Sequence, residues 1–144
     1  MSIAAEAAWA AWVNAQPALV GDGNPLAGGA FLAAQVRSPA FGAYAVGARQ
    51  SQPLPAVVAE SGEVDVARIS AVIYGGTVDS AEAAATAYAN TVLGLTGAPV
   101  LMGDSGVRCL ASDNLSGPMF VEQPGAGGEE FTFEVAADFV MAVQ

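Results

Sequence analysis

A chain of 144 residues with 14 carboxylates, four arginines, no lysine and no histidine is long enough to bury one core without disulfides or metals. Its formal net charge of −10 argues against nucleic-acid recognition through a basic surface: each phosphate contact needs a cation, and Arg37, Arg49, Arg68 and Arg108 are too scattered to form a patch. The missing imidazole and ammonium groups also exclude histidine metal sites and the usual bases for a serine nucleophile.

The opening residues Met1 to Glu6 lack the positive n-region of a signal peptide, and no apolar run is long enough to span a bilayer. The expectation is a soluble intracellular protein with no membrane partner. Ser2 is placed to cap a first helix running to about Ala15, with Trp9, Trp12 and Val13 on one face and Glu6 and Asn14 opposite. Pro17 stops it, and residues 20–25 form a turn by composition. Residues 30–37 read as a strand.

Residues 38–62 hold Pro39, Gly42, Gly47, Pro53 and Pro55, too many breakers for one regular element. They also hold Phe41, Tyr44, Val46, Leu54, Val57 and Val58, too apolar for a solvated linker. A segment of that kind is expected to be partly ordered and to face a partner.

Residues 66–77 with the alanine-rich run behind them are the centre of the chain. Ile69, Ala71 and Ile73 alternate with Arg68, Ser70, Val72 and Tyr74 at the two-residue period of a sheet. Gly75-Gly76 breaks that strand by taking positive φ, and Asp79 with Glu82 three residues on reads as the helix start. Ala81, Ala84, Ala85, Tyr88 and Val92 then repeat at helical spacing to about Leu93, where Gly94 or Gly97 closes the helix in a left-handed cap. A short extended run at 99–102, a turn at 103–106, a strand at 107–113 and an extended stretch at 114–121 punctuated by Gly117-Pro118 follow.

Residues 124–128 read as a flexible connection. In the last strand Phe131, Phe133, Val135, Ala137, Phe139, Met141 and Val143 share one face, while Glu130, Glu134 and Asp138 fall on the other. The expected fold is a single α+β domain over 1–144: a mainly antiparallel four- to five-stranded sheet with two helices on one face.

No catalytic set emerges. Gly103-Asp104-Ser105-Gly106 resembles the segment around the nucleophile of trypsin-like serine proteases, but the chain has no histidine or lysine to take the serine proton. A turn is the better reading. The acidic groups Glu60, Glu63, Asp65 and Glu129-Glu130 match no calcium-loop spacing, and the glycine pairs lack a phosphate-cradling pattern. Asn114-Leu115-Ser116 is a glycosylation sequon without secretory context. Cys109 is alone, so it reads as a small buried hydrophobe. Neither cofactor nor metal is expected.

Three stretches carry a resemblance: Val36-Arg37-Ser38-Pro39-Ala40-Phe41-Gly42-Ala43-Tyr44-Ala45, Arg68-Ile69-Ser70-Ala71-Val72-Ile73-Tyr74-Gly75-Gly76-Thr77 with its helix, and Ala111-Ser112-Asp113-Asn114-Leu115-Ser116-Gly117-Pro118. Together with the closing Ala137-Asp138-Phe139 strand and the short first helix, their order resembles the tail terminator (tail completion) proteins of long-tailed bacteriophages, particularly those of actinobacteriophages. The resemblance implies a virion structural protein without enzymatic activity. Its subunits form a hexameric ring that caps the finished tail tube and joins it to the head-side connector protein, while DNA passes through without specific binding.

An acidic, lysine-free lumen suits that passage, and Glu130, Glu134 and Asp138 are placed to line it. Arg37, Phe41, Tyr44, Arg49, Leu54 and Arg108 are the candidate subunit-interface residues, since interfaces favour arginine over lysine. The expected location is the head-proximal end of the virion tail, reached from the host cytoplasm during assembly. Rival readings are another connector ring such as a head–tail stopper, a tail tube subunit, or a small cytosolic carboxylate-based enzyme or ligand-binding domain.

Overall fold

The computed structural model describes residues 3–32, 42–50, 64–121 and 131–143. Helix α1 spans Ala5–Asn14 and α2 spans Val78–Leu93. Six strands, β1 (Gly29–Leu32), β2 (Tyr44–Arg49), β3 (Val64–Gly75), β4 (Val100–Leu101), β5 (Val107–Val121) and β6 (Phe131–Val143), form one sheet in the order β1-β2-β3-β6-β5-β4. β1 runs parallel to β2, and every other neighbouring pair is antiparallel. The α+β class is as expected, but the sheet is mixed and has six strands rather than four or five.

The extra strand is β2, which lies inside the segment 38–62 read as irregular. Its alanines and Gly47 hide a strand pattern, and the structure shows why the glycine is there. A Cβ on Gly47 would sit 2.3 Å from Cζ3 of Trp9. The indole therefore occupies the space where the side chain of any larger residue would stand.

Alternation along β3 and β6 sets the two faces of the sheet. Ala67, Ile69, Ala71 and Ile73 of β3 stand in register with Phe139, Ala137, Val135 and Phe133 of β6, and all are buried under the helices. Trp12 packs edge-on against both Phe139 and Tyr88, with ring centroids 5.9 Å and 6.4 Å away. Trp9 donates its indole N–H to the Tyr88 hydroxyl at 2.7 Å, joining α1 to α2 inside the core. Full burial of such rings contributes about 2–3 kcal/mol each from area alone.

Local signals set the helix ends, though not at every expected residue. α1 begins after Ala4, which offers no side-chain cap; Ser2 lies outside the described residues. At its other end the Asn14 side chain leaves the helix to bond both backbone groups of Ala30, donating to the carbonyl at 3.1 Å and accepting from the N–H at 2.8 Å. That clamp satisfies the backbone of Ala30 on edge strand β1, where an extra strand would otherwise pair. Thr77, not Asp79, is the N-cap of α2. Thr77 Oγ1 accepts from the Ser80 N–H at 3.0 Å while Ser80 Oγ accepts from the Thr77 N–H at 3.1 Å.

Gly75 is needed for space rather than for positive φ, because a Cβ there would lie 2.7 Å from the Ala81 nitrogen. Gly94 keeps right-handed geometry at φ −72°, and the left-handed turn comes at Gly97, φ +109°. β5 runs unbroken through Gly117-Pro118, its pairing with β6 interrupted by register shifts after Cys109, Asp113 and Ser116. The expected flexible connection at 124–128 lies outside the described residues.

Two stability experiments follow from this core. Tyr88→Phe keeps the ring but strips the buried Trp9 N–H of its acceptor, and is expected to cost about 1–3 kcal/mol in urea unfolding at unchanged m value. Burial pushes the Cys109 thiol up from 9.0 to about 11. Below pH 9 both folded and unfolded chains keep that proton, whereas between pH 9 and about 11 the unfolded chain loses it first, so stability falls as pH rises. In Cys109→Ala that part of the alkaline slope should vanish from the stability–pH curve.

Candidate functional site

The sheet face away from the helices carries the polar residues of β3 and β6. No described helix lies against it. At one end Tyr44 stacks on Tyr74 across the β2–β3 pair, with centroids 4.9 Å apart and planes at 11°, and Phe31 meets Tyr44 edge-on at 6.2 Å. Tyr44 is only 4 % exposed, so this candidate interface residue is largely buried within its own chain.

Farther along the same face the β3–β6 register sets Arg68 opposite Asp138. Arg68 Nη1 lies 3.3 Å from Asp138 Oδ1 and 3.1 Å from the Asn114 carbonyl, and Nη2 donates to Ser116 Oγ at 3.1 Å. Asn114 Nδ2 donates to the other Asp138 oxygen at 2.8 Å. Asp113 stands opposite Asp138 on the β5 side, so Arg68 also offsets a like-charge neighbour. Ser70 donates to Glu134 Oε2 at 2.8 Å.

The two described carboxylates expected to form a bare acidic stripe are therefore held in hydrogen bonds, and Asp138 is in an ion pair. Glu130, Arg37, Phe41 and Leu54 lie outside the described residues.

Arg49 points to the helix side of the sheet. Its guanidinium makes a two-pronged contact with Asp65, Nη1 to Oδ2 at 2.6 Å and Nη2 to Oδ1 at 2.9 Å, and its backbone N–H donates to Glu6 Oε2 at 3.2 Å. The hydrogen bonds to Asp65 raise the Arg49 pKa above its ordinary value; burial opposes them, and the charges of Asp65 and Glu6 add to them. Asp65, grouped in the sequence with Glu60 and Glu63, is a buried residue of β3. Arg108 lies in β5 between Leu101 of β4 and Ala142 of β6.

Sequence reasoning missed both ion-pair partners, Asp65 and Arg68, because pairing depends on which strands become neighbours. The one available signal was that Arg68 and Asp138 occupy outward positions on the two most regularly alternating strands. It also missed Met119 and Phe120, 56 % and 53 % exposed at the far end of β5.

The Ser105 hydroxyl donates to the Met102 carbonyl at 2.7 Å and accepts from the Val107 N–H at 3.2 Å, which is turn chemistry. A cleft of about 450 Å³ lies beside this turn, lined by small α1 residues including Ala7, Ala8 and Ala11 and by Asp104, Val107 and Val143. Among the described residues no cluster of three or more cysteine or carboxylate groups could hold a metal ion, and no helix is long and apolar enough to cross a membrane. No protein-family model, curated protein or solved structure matches this chain.

The Arg49–Asp65 pair is nearly buried, with side chains 11 % and 8 % exposed. Asp65→Asn should therefore cost about 3 kcal/mol by removing the charge that Arg49 holds in two prongs. The double replacement Arg49→Met with Asp65→Leu should cost less than the sum of the single changes, a coupling that chemical denaturation of the four chains measures.

Proposed function

We propose that this chain is a virion structural protein, a ring-forming tail terminator that caps the tail tube and joins it to the head-side connector. The observation that carries the reading is the two-sidedness of the sheet: both helices pack on one face, while the other carries Arg68, Glu134 and Asp138 in a hydrogen-bonded polar band to which the buried Ser70 hydroxyl contributes. That band runs from the Arg68–Asp138 pair to Glu134, four residues along β6, or about 14 Å. A channel wall with its dipoles already paired inside a chain of net charge −10 offers DNA no cationic foothold.

The resemblance in the order of elements points the same way. Helices of 10 and 16 residues on a single sheet favour a terminator over a tube subunit, which has two long sheets and little helix. In this reading the ring is a hexamer, the tail tube protein and the connector protein are its neighbours, and the chain turns over no substrate.

Size-exclusion chromatography with mass measurement, together with negative-stain microscopy of the purified chain and of tails, tests the reading. Closed rings, and the chain at the head-proximal tail end, are the expected results. A chain that stays monomeric at every concentration and is absent from purified particles would overturn it.

A further inference from the structure

The edge of β1 is closed by a side chain from another element. Asn14, the last residue of α1, bonds both backbone groups of Ala30: its Oδ1 accepts from the N–H at 2.8 Å and its Nδ2 donates to the carbonyl at 3.1 Å. β1 is an outermost strand of the sheet, yet Ala30 is only 4 % exposed, while Asn14 itself is exposed. Glycine at position 29 makes room for the clamp, since a Cβ there would lie 2.9 Å from Asn14 Oδ1.

The chemistry of this contact names what it displaces. A carboxamide carries the donor and the acceptor of a peptide group. In an antiparallel pair, two residues of the hydrogen-bonded kind exchange both N–H···O bonds. The Asn14 amide gives Ala30 that same pair of bonds from within its own chain. We propose that Asn14 is a plug against self-pairing: it holds the Ala30 positions that β1 of a second copy would take in an antiparallel contact across a two-fold axis.

The rest of the sheet shows why β1 needs a guard. On the opposite side β5 is broken by register shifts and by Pro118. β1 has no proline and no register shift against β2, so its backbone is a regular template for a further strand. A two-fold contact brings identical edges together, and Ala30 then meets its own counterpart. Gly29–Leu32 also carries no charged residue, so two chains of net charge −10 can meet there without a like-charge pair.

The plug does not depend on the ring reading, although the two agree. Rings close through head-to-tail contacts, and a two-fold strand pairing would draw copies away from them.

The test uses the full chain with Asn14→Ala and Asn14→Thr, which both remove the carboxamide. A third variant, Asn14→Asp, keeps an acceptor for the Ala30 N–H and sets a charge where two copies would meet. Alanine is the better helix former, so N14A leaves α1 intact. Mass is read by chromatography over a concentration series, together with hydrogen exchange at the Ala30 amide. N14A and N14T should form species of twice the wild-type mass at concentrations roughly tenfold or more below any at which the wild type does so. In dilute samples their Ala30 amide should exchange roughly tenfold or more faster than in the wild type, and protection should return as they associate. N14D should keep the wild-type mass.

Wild-type mass for N14A and N14T at every concentration overturns the proposal. So does a doubling that leaves the Ala30 amide as unprotected as in the dilute sample, since the copies would then meet elsewhere. Doubling of N14D as readily as N14A overturns it too. Failure of both N14A and N14T to fold does the same, because Asn14 would then be a structural group of the single chain. Rings of the wild-type chain, or their absence, bear on the ring reading alone.

Discussion

The hydrogen bond from the Trp9 indole to the Tyr88 hydroxyl is the point on which the rest of the fold turns. It joins two helices that are 79 residues apart at the contact, and it lies where both rings are sealed from water. An indole N–H buried in an apolar layer must find an acceptor, and the phenol supplies one without bringing a charge inside. Other features follow from seating these rings. β2 carries glycine at position 47 so that Trp9 can lie against it, and Trp12 fills the space between Tyr88 and Phe139. The same layer leaves α2 with alanines on its buried side, Ala81, Ala84, Ala85 and Ala89, so the helix sits close to the sheet.

Sealing one face leaves the other to the polar positions of β3 and β6. The scarcity of cations governs what they do. Arg49 is spent on the helix side of the sheet, where it holds Asp65 and joins β2 to β3. Arg68 is set on the face away from the helices, where it meets Asp138 of β6 and receives support from Asn114 and Ser116 of β5, one strand farther on. The Arg68–Asp138 pair is partly exposed, 30 % and 22 % at the two side chains, so it orders the face more than it stabilises the fold. A surface whose dipoles satisfy one another has little left to grip a passing polyanion, and this links the packing of the core to the proposed channel.

Past the two residues it pairs with β4, β5 is the outermost described strand on its side of the sheet, and it is irregular there. Its register slips three times against β6, Asn114 takes φ +53°, and Pro118 removes a donor. Such irregularity disfavours the addition of a further strand along this part of β5.

Much of this architecture was legible in the chain alone. The alternation of residues 66–74 and 131–143, and the helical spacing of Trp9, Trp12 and Val13 or of Ala81 to Val92, reflect burial periodicity, which belongs to each segment by itself. The absence of histidine and lysine limits the available chemistry whatever the fold. What the sequence could not show were the relations between segments: that 44–49 is a strand, that its glycine answers a tryptophan in another element, and that Asp65 belongs to Arg49 and Asp138 to Arg68. Those depend on strand order and register, which tertiary packing decides, because a strand's own pattern tells which residues face inward but not which strand lies beside it.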